Sequence, residues 1–372
     1  MNKRVKIIIG CGGTGGHVYP AIAIANKLKS LYPNTQILFV GAQGKMEMEK
    51  VPQSGYHIIG LPVRGLNRRN ILKNFSVLYK LFKSIRISFK IIEKFKPDVV
   101  VGTGGYASSP IIYAASKKNI PFVLQEQNSF PGITNKIFAN KAKIICVAYE
   151  GLEKYFPKEK LLLTGNPIRE DILMDYKTLK EESLKYFNFS SSKKTLLSLG
   201  GSLGAKTINE SIYENIELII KNNIQFIWQT GKDFFPKALE LINNLRDNEN
   251  IRVFSYIERM DYAYAIADLV ISRAGAITIS ELAALGKPAI LVPSPNVAED
   301  HQTKNAMVLV SNHSALLIKD SEAKKKLVNE AINLLNNEFK LKLFANNIAK
   351  LSQKNASELI AKEILKLANV YV

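Results

Sequence analysis

The sequence predicts an α/β protein of two domains, each a parallel sheet covered by helices, with the two sheets facing each other across a cleft. Three observations carry this. Short β-branched apolar runs alternate with stretches of helical spacing along the chain, the pattern of a parallel sheet covered by helices. Two glycine-rich strand-to-helix turns recur far apart, Gly10-Cys11-Gly12-Gly13-Thr14-Gly15-Gly16-His17 and Gly200-Gly201-Ser202-Leu203-Gly204-Ala205. The length of 372 residues suits two domains of about 150 residues each. Such turns bring backbone close to a ligand and aim free N–H groups at it. Two of them suggest a cleft gripping a phosphate-bearing ligand from both sides.

The first-half strands are expected at Val5–Ile9, Gln36–Val40, Asp98–Val101, Phe122–Leu124, Lys143–Val147 and Leu161–Leu163. A second series follows at Thr195–Leu199, Gln225–Trp228, Arg252–Phe254, Leu269–Ser272, Ala289–Val292 and Ala315–Ile318. The polar stretch from Gly165-Asn166-Pro167 to Ser192 separates them, and Pro167 is a natural break. We place the domains at 1–165 and 166–350. In the final segment, 351–372, Leu359, Ile360, Ile364 and Leu367 have helical spacing, so it is expected to pack back on the first domain. Asn355 and Glu358 suit a cap.

A hydrophobic share of 47% and a charged share of 22% are ordinary for a globular protein, but the net charge of +19 is not. Compositional bias, nucleic acid, an anionic membrane and phosphorylated substrates all fit that charge. The two cysteines, Cys11 and Cys146, form no Cys-x-x-Cys or zinc pattern, which favours a reducing compartment. The apolar run after the basic start is short and enters the glycine turn directly, so it reads as a strand and not a signal peptide. No apolar stretch approaches the ~18 residues of a spanning helix, which points to a soluble or peripheral cytosolic protein.

Gly10, Gly12 and Gly15 match G-x-G-x-x-G, but a dinucleotide site needs a carboxylate about 20 residues on. The first acid in the chain is Glu47. That argues against NAD. His17, at the mouth of the first helix, admits a structural reading and a chemical one. In the latter the helix N-terminus keeps the imidazole a neutral proton acceptor. Gly102-Thr103-Gly104-Gly105-Tyr106 suits an ordinary turn or a ligand loop. Gln125-Glu126-Gln127-Asn128 offers ligand contacts, with Glu126 a second candidate base.

In the second domain Ser202 suits phosphate oxygens, and Arg169 adds fixed charge just past the hinge. Glu281 suits either a helix dipole or two ribose hydroxyls. No Asp-x-Asp and no histidine–carboxylate cluster of metal spacing occurs, so no metal or other cofactor is expected. Pyrophosphate charge then falls to helix ends, Ser202 and Arg169. Residues 68–96 hold nine basic residues and one acid, interleaved with Ile71, Leu72, Phe75, Leu78, Tyr79, Phe82, Ile85, Phe89 and Ile92. This fits a core-facing helix or an anionic-lipid surface. No RNA-binding motif supports a nucleic-acid partner.

Taken in order, these motifs resemble the MurG family, glycosyltransferase family 28, which transfers N-acetylglucosamine in peptidoglycan synthesis. They are Gly-Gly-Thr-Gly-Gly-His at 12–17, Gly-Thr-Gly-Gly-Tyr at 102–106, Glu-Gln-Asn at 126–128 and Gly-Asn-Pro-Ile-Arg at 165–169. Gly-Gly-Ser-x-Gly-Ala at 200–205, Arg273 to Glu281, and Asp300-His301-Gln302 with Asn305 complete the set.

The resemblance implies a GT-B fold of two Rossmann-like domains and metal-independent, inverting transfer from UDP-GlcNAc to the MurNAc C4 hydroxyl of lipid I, giving lipid II. It implies donor contacts from Thr14, Gly15, Gly16 and Asn128 in an acceptor- and membrane-facing first domain. Arg169, Ser202, Ile257, Ala276, Ile277, Thr278, Ile279, Ser280, Glu281 and Gln302 would hold the donor from the second. The 68–96 region resembles the family's membrane-docking surface, at the cytoplasmic face of the plasma membrane. Gln125 departs from the family's usual His. Ala-Ser-Ser-Pro after Tyr106 and Ser294-Pro295-Asn296 also depart, and these departures bear on acceptor-side detail more than on the donor site. A same-fold enzyme such as a UDP-GlcNAc 2-epimerase or another glycosyltransferase, a dinucleotide oxidoreductase and a non-catalytic membrane or RNA scaffold are the competing functions.

Overall fold

Seven parallel strands form the first sheet: β1 (Val5–Gly10), β2 (Thr35–Ala42), β3 (His57–Leu61), β4 (Val99–Gly102), β5 (Phe122–Glu126), β6 (Ile144–Val147) and β7 (Leu161–Leu163). Their order is β3-β2-β1-β4-β5-β6-β7. Six strands form the second sheet: β8 (Thr195–Leu199), β9 (Gln225–Gln229), β10 (Ile251–Phe254), β11 (Leu269–Ser272), β12 (Ala289–Leu291) and β13 (Ala315–Leu317), in the order β10-β9-β8-β11-β12-β13. This computed structural model describes residues 3–65, 74–169, 172, 176–200, 204–297, 300–353 and 355–371.

All pairings in both sheets are parallel. Central strands such as Val99-Val100-Val101 are buried on both faces, as a parallel sheet between helices requires. Each sheet reverses its strand order once, between β1 and β4 in the first and between β8 and β11 in the second. Ligands of open α/β sheets bind at such switch points, outside the carboxyl ends of the strands. The first glycine turn follows β1 there, and Gly200 follows β8.

The chain divides into two units. The first comprises Met1–Arg169 with Gln353–Val372, and the second Glu170–Ser352. The helix Ala356–Leu367 belongs to the first unit, where Ile360, Ala361, Ile364 and Leu365 are fully buried with Val18, Ala21 and Ala25 of α1 (Gly15–Leu31). Each fully buried Ile, Leu or Val there contributes about 1.5–3 kcal/mol. The Asn355 side chain makes no cap bond, so packing rather than capping holds this helix.

β3 has no counterpart among the expected strands. It is an edge strand whose His57 and Ile59 are exposed, with Leu61 alone fully buried, so its apolar signal is weak. The remaining first-unit helices used below are α2 (Glu47–Gln53), α3 (Asn74–Phe95), α4 (Ser109–Lys117) and α5 (Ile133–Phe138).

Candidate active site

In the first unit, three chain segments converge on His17. The first is the β1–α1 turn, where Gly12 and Gly13 have φ of +136° and +93°, conformations that favour glycine. The second is the Thr103–Gly105 loop after β4. A Cβ on Gly105 would lie 2.4 Å from the Gly12 carbonyl oxygen, so glycine permits the close approach of the two loops. The third is the end of β5 and the residues after it.

His17 Nδ1 lies 3.0 Å from the Thr103 carbonyl oxygen and 3.0 Å from Gln127 Oε1. The Gln127 amide orientation follows from its neighbours. Its Nε2 donates to Thr103 O at 2.6 Å and to Gln125 Oε1, and the reverse orientation would set oxygen against oxygen. Two acceptors therefore face Nδ1, so in the neutral ring Nδ1 carries the proton and Nε2 the lone pair. The relay continues inward. Gln125 Nε2 donates to Asn166 Oδ1 at 3.0 Å, and Asn166 Nδ2 donates to Gln127 O at 3.0 Å. Gln125 is thus built into a buried amide chain that locks the imidazole.

Glu126 has a different environment. Its Oε1 accepts from Asn128 N at 3.0 Å and Asn128 Nδ2 at 3.2 Å. Its Oε2 accepts from Gly132 N at 3.0 Å and Asn135 Nδ2 at 2.8 Å. Four N–H donors on a buried carboxylate leave little capacity for a substrate proton. Glu126 organises the loop into α5.

Glu47, which no motif singled out, is fully buried beneath the first turn. Its Oε1 accepts from Ala42 N at 2.9 Å and from Gly13 N at 3.1 Å. The first turn therefore differs from the phosphate cradle expected of it, because Gly13 N–H is already bound to a carboxylate.

In the second unit, Gly204 has φ +78°, and a Cβ there would lie 2.6 Å from the Thr230 carbonyl oxygen. Asn209 fixes that loop by donating to Thr230 O at 2.8 Å while accepting from Trp228 Nε1 at 3.0 Å. After β11, Gly275 is the extended N-cap of the helix Ala276–Ala284, and no side chain caps it. Its first N–H groups point toward the carboxyl end of the sheet. Arg273 at the end of β11 donates to Val292 O at 3.1 Å and pairs with Asp320, which also accepts from Thr207 Oγ1 at 2.9 Å. Glu281 is buried and accepts from the Tyr264 hydroxyl at 3.1 Å. Gln302 Oε1 accepts from Ser294 N at 2.8 Å.

The glycosyltransferase family 28 N-terminal domain matches residues 7–147, and the family's C-terminal domain matches residues 195–364. The chain belongs to glycosyltransferase family 28. It is 51% identical over 369 residues to the UDP-N-acetylglucosamine–N-acetylmuramyl-(pentapeptide) pyrophosphoryl-undecaprenol N-acetylglucosamine transferase of Bacteroides thetaiotaomicron, covering 99% of each chain. The protein of the same name from Parabacteroides distasonis is 49% identical, over 98% of this chain and 99% of its own.

Among solved structures, Acinetobacter baumannii MurG superposes with a TM-score of 0.75 at 28% identity, over 97% of this chain and 99% of that one. The fold is thus the GT-B fold of this family. A UDP-GlcNAc 2-epimerase from Neisseria meningitidis shares the fold alone, with a TM-score of 0.67 at 16% identity over 97% and 99% of the two chains.

The residues that the sequence offered for the site fall in different settings. Arg169 belongs to the first unit, not the second, and its guanidinium lies 5.9 Å from the ring centre of Tyr19 on α1. Ile257 and Ile279 are core side chains, and Ile257 N–H is held by Gln229 Oε1 at 3.1 Å, so neither side chain is open to a donor. Ala276 and Ile277 are also buried, whereas Thr278 and Ser280 are half-buried. Glu281 sits in the second turn of its helix, and no acid occupies the first. Thr14, the α1 N-cap, and Gly16 are exposed, with Gly15 and Asn128 half-buried. Ser202 lies outside the described residues, as do Ile71 and Leu72. Among the described residues no group of three or more His, Cys, Asp or Glu is gathered to hold a metal ion.

Two contributions were hidden from sequence reasoning. Glu47 is separated from Gly13 by 34 positions. The one available signal was scarcity, since Glu47 and Glu49 are the only acids before Glu93. Tyr264, the partner of Glu281, lies in no motif and announces itself only as a fully buried tyrosine.

Proposed function

We infer that the chain transfers GlcNAc from UDP-GlcNAc to the C4 hydroxyl of MurNAc in lipid I, yielding lipid II and UDP. The observation that carries this is identity near 50% over 99% of the chain with relatives bearing the transferase's name.

The chemistry we propose is a direct displacement. His17 Nε2 takes the C4 hydroxyl proton, and the oxygen attacks the GlcNAc anomeric carbon. The bond from that carbon to the pyrophosphate oxygen breaks, and UDP leaves with the electron pair, inverting the centre. The tautomer fixed by Thr103 and Gln127 supports His17 over Glu126 as the base. Glu126 takes a positioning role. The N-terminus of the Ala276–Ala284 helix, Ser202 and Arg169 stabilise the departing pyrophosphate, and Glu281 holds the ribose. Thr14, Gly15, Gly16 and Asn128 meet the donor sugar, while Thr278, Ser280, Gln302 and backbone at Ile257, Ala276, Ile277 and Ile279 complete the donor site.

We further propose that α3 docks on anionic lipid at the cytoplasmic face of the plasma membrane. Leu78, Tyr79 and Phe82 are 46%, 69% and 65% exposed, beside exposed Lys83 and Arg86. That pairing of apolar and basic side chains suits an interfacial surface. Among the described residues no helix is long and apolar enough to cross a membrane.

The test is His17→Ala in a transfer assay with a lipid I analogue. Turnover should fall by about 10²–10⁴-fold, the span of general base catalysis, with little change in UDP-GlcNAc affinity. Near-normal turnover would remove His17 from the chemistry.

A further inference from the structure

We propose that Asp320 is a positioning residue of the donor site, acting through Arg273. This rests on the reading that the second unit holds UDP-GlcNAc, and it adds what keeps that site in shape. Arg273 opens the motif that runs to Glu281, whereas Asp320 lies in no motif. Arg273 Nη1 donates to Val292 O at 3.1 Å and Pro293 O at 3.3 Å, and it pairs with Asp320 Oδ1. Asp320 Oδ2 in turn accepts from Thr207 Oγ1 at 2.9 Å.

These residues follow four strands that are neighbours in the sheet, in the order β8-β11-β12-β13. Thr207 is the second residue of the helix Lys206–Glu214, which comes after β8. Arg273 directly follows β11, Val292 directly follows β12, and Asp320 comes shortly after β13. Adjacent strands lie about 4.8 Å apart, so the outer two of the four are about 14 Å from each other. The bonded chain closes over that whole width at the carboxyl edge, where open α/β sheets bind their ligands. The Arg273 and Asp320 side chains are only 20% and 21% exposed, so solvent screens their attraction incompletely.

Two parts of the donor site hang on this bridge. Arg273 stands just before Gly275 and Ala276, where the helix with no side-chain cap begins. Ser294, next to the gripped carbonyls, donates its N–H to Gln302 Oε1 at 2.8 Å and so orients that amide. Without Asp320 the guanidinium keeps two neutral carbonyls and loses its charged partner, and both parts lose their common support. The helices behind the rim have a separate tie. Ser211 Oγ donates to Ala323 O at 2.9 Å and joins Lys206–Glu214 to Ala323–Leu335. Loss of Asp320 therefore loosens the rim and spares the core.

The experiment is a calorimetric titration of the full chain with UDP-GlcNAc, beside transfer kinetics with the lipid I analogue. Asp320→Ala should bind UDP-GlcNAc about tenfold more weakly, a change of about 1.4 kcal/mol. Its KM for UDP-GlcNAc should rise by a like factor, with kcat moving less. Asp320→Asn keeps an acceptor for Arg273 and should recover most of the affinity. Wild-type affinity in Asp320→Ala overturns the proposal whatever the thermal midpoint, since an ion pair serving stability alone moves only that midpoint. If Asp320→Ala does not fold, Thr207→Val decides, because it removes one hydroxyl and leaves the ion pair in place. It should weaken binding about threefold, the low end for one hydrogen bond, and unchanged affinity there also overturns the proposal. Glu281→Ala is titrated alongside. Loss of affinity in Glu281→Ala with none in Asp320→Ala defeats this proposal alone, whereas no loss in either defeats the donor site of the second unit as well.

Discussion

Replacing Glu126 by Gln separates a base from a scaffold. The carboxylate accepts four N–H groups, two at each oxygen. An amide retains one acceptor oxygen and turns the other into a donor facing either Asn128 or Gly132 and Asn135. Two charge-assisted bonds are lost, each worth about 1.5 kcal/mol at the lower end, because the loop can relax. The expected destabilisation of the first unit is about 3 kcal/mol, or about 6–12 °C in its unfolding midpoint for a unit of this size. Thermal unfolding followed by a pH–rate profile of the folded variant measures both effects. The midpoint should fall, and acceptor KM should rise. The acid limb of the profile should persist, because the His17 relay is untouched. An unchanged midpoint with turnover reduced by about 10³-fold and the limb abolished would refute the reasoning, since that is the behaviour of a missing base.

Three further outcomes follow from the same geometry. Glu281→Ala should weaken UDP-GlcNAc binding by calorimetry about tenfold or more, as expected for losing charge-assisted bonds to two hydroxyls, and unchanged affinity would exclude the ribose contact. Phe82→Ser should lower binding to anionic vesicles about tenfold, since burying such a side chain contributes about 1.5–3 kcal/mol. Equal binding would exclude α3 as the docking face. Ile364→Ala should cost about 2–5 kcal/mol of first-unit stability, because the side chain is fully buried with α1. An unshifted denaturation midpoint would contradict that packing.

Local signals made most of the fold legible. Val5–Gly10 and Thr195–Leu199 are strands because β-branched and apolar runs ending in glycine have few other solutions in a parallel sheet. β3 escaped because its burial is slight. The site was legible where a motif is contiguous, as around His17 and at Gln125 to Asn128. It was illegible where chemistry depends on distant partners. The tautomer of His17 is set by Thr103 and Gln127, 86 and 110 positions away, and no spacing rule encodes that pairing. Arg169 adjoins the expected boundary, yet it groups with the first unit, its guanidinium 5.9 Å from the Tyr19 ring centre.

The central claim is tested most directly by incubating the protein with radiolabelled UDP-GlcNAc and a short-chain lipid I analogue. The account predicts one labelled lipid product, formed in step with UDP release and dependent on the analogue. Label that never enters the lipid, or UDP-GlcNAc that is epimerised without any acceptor, would contradict it.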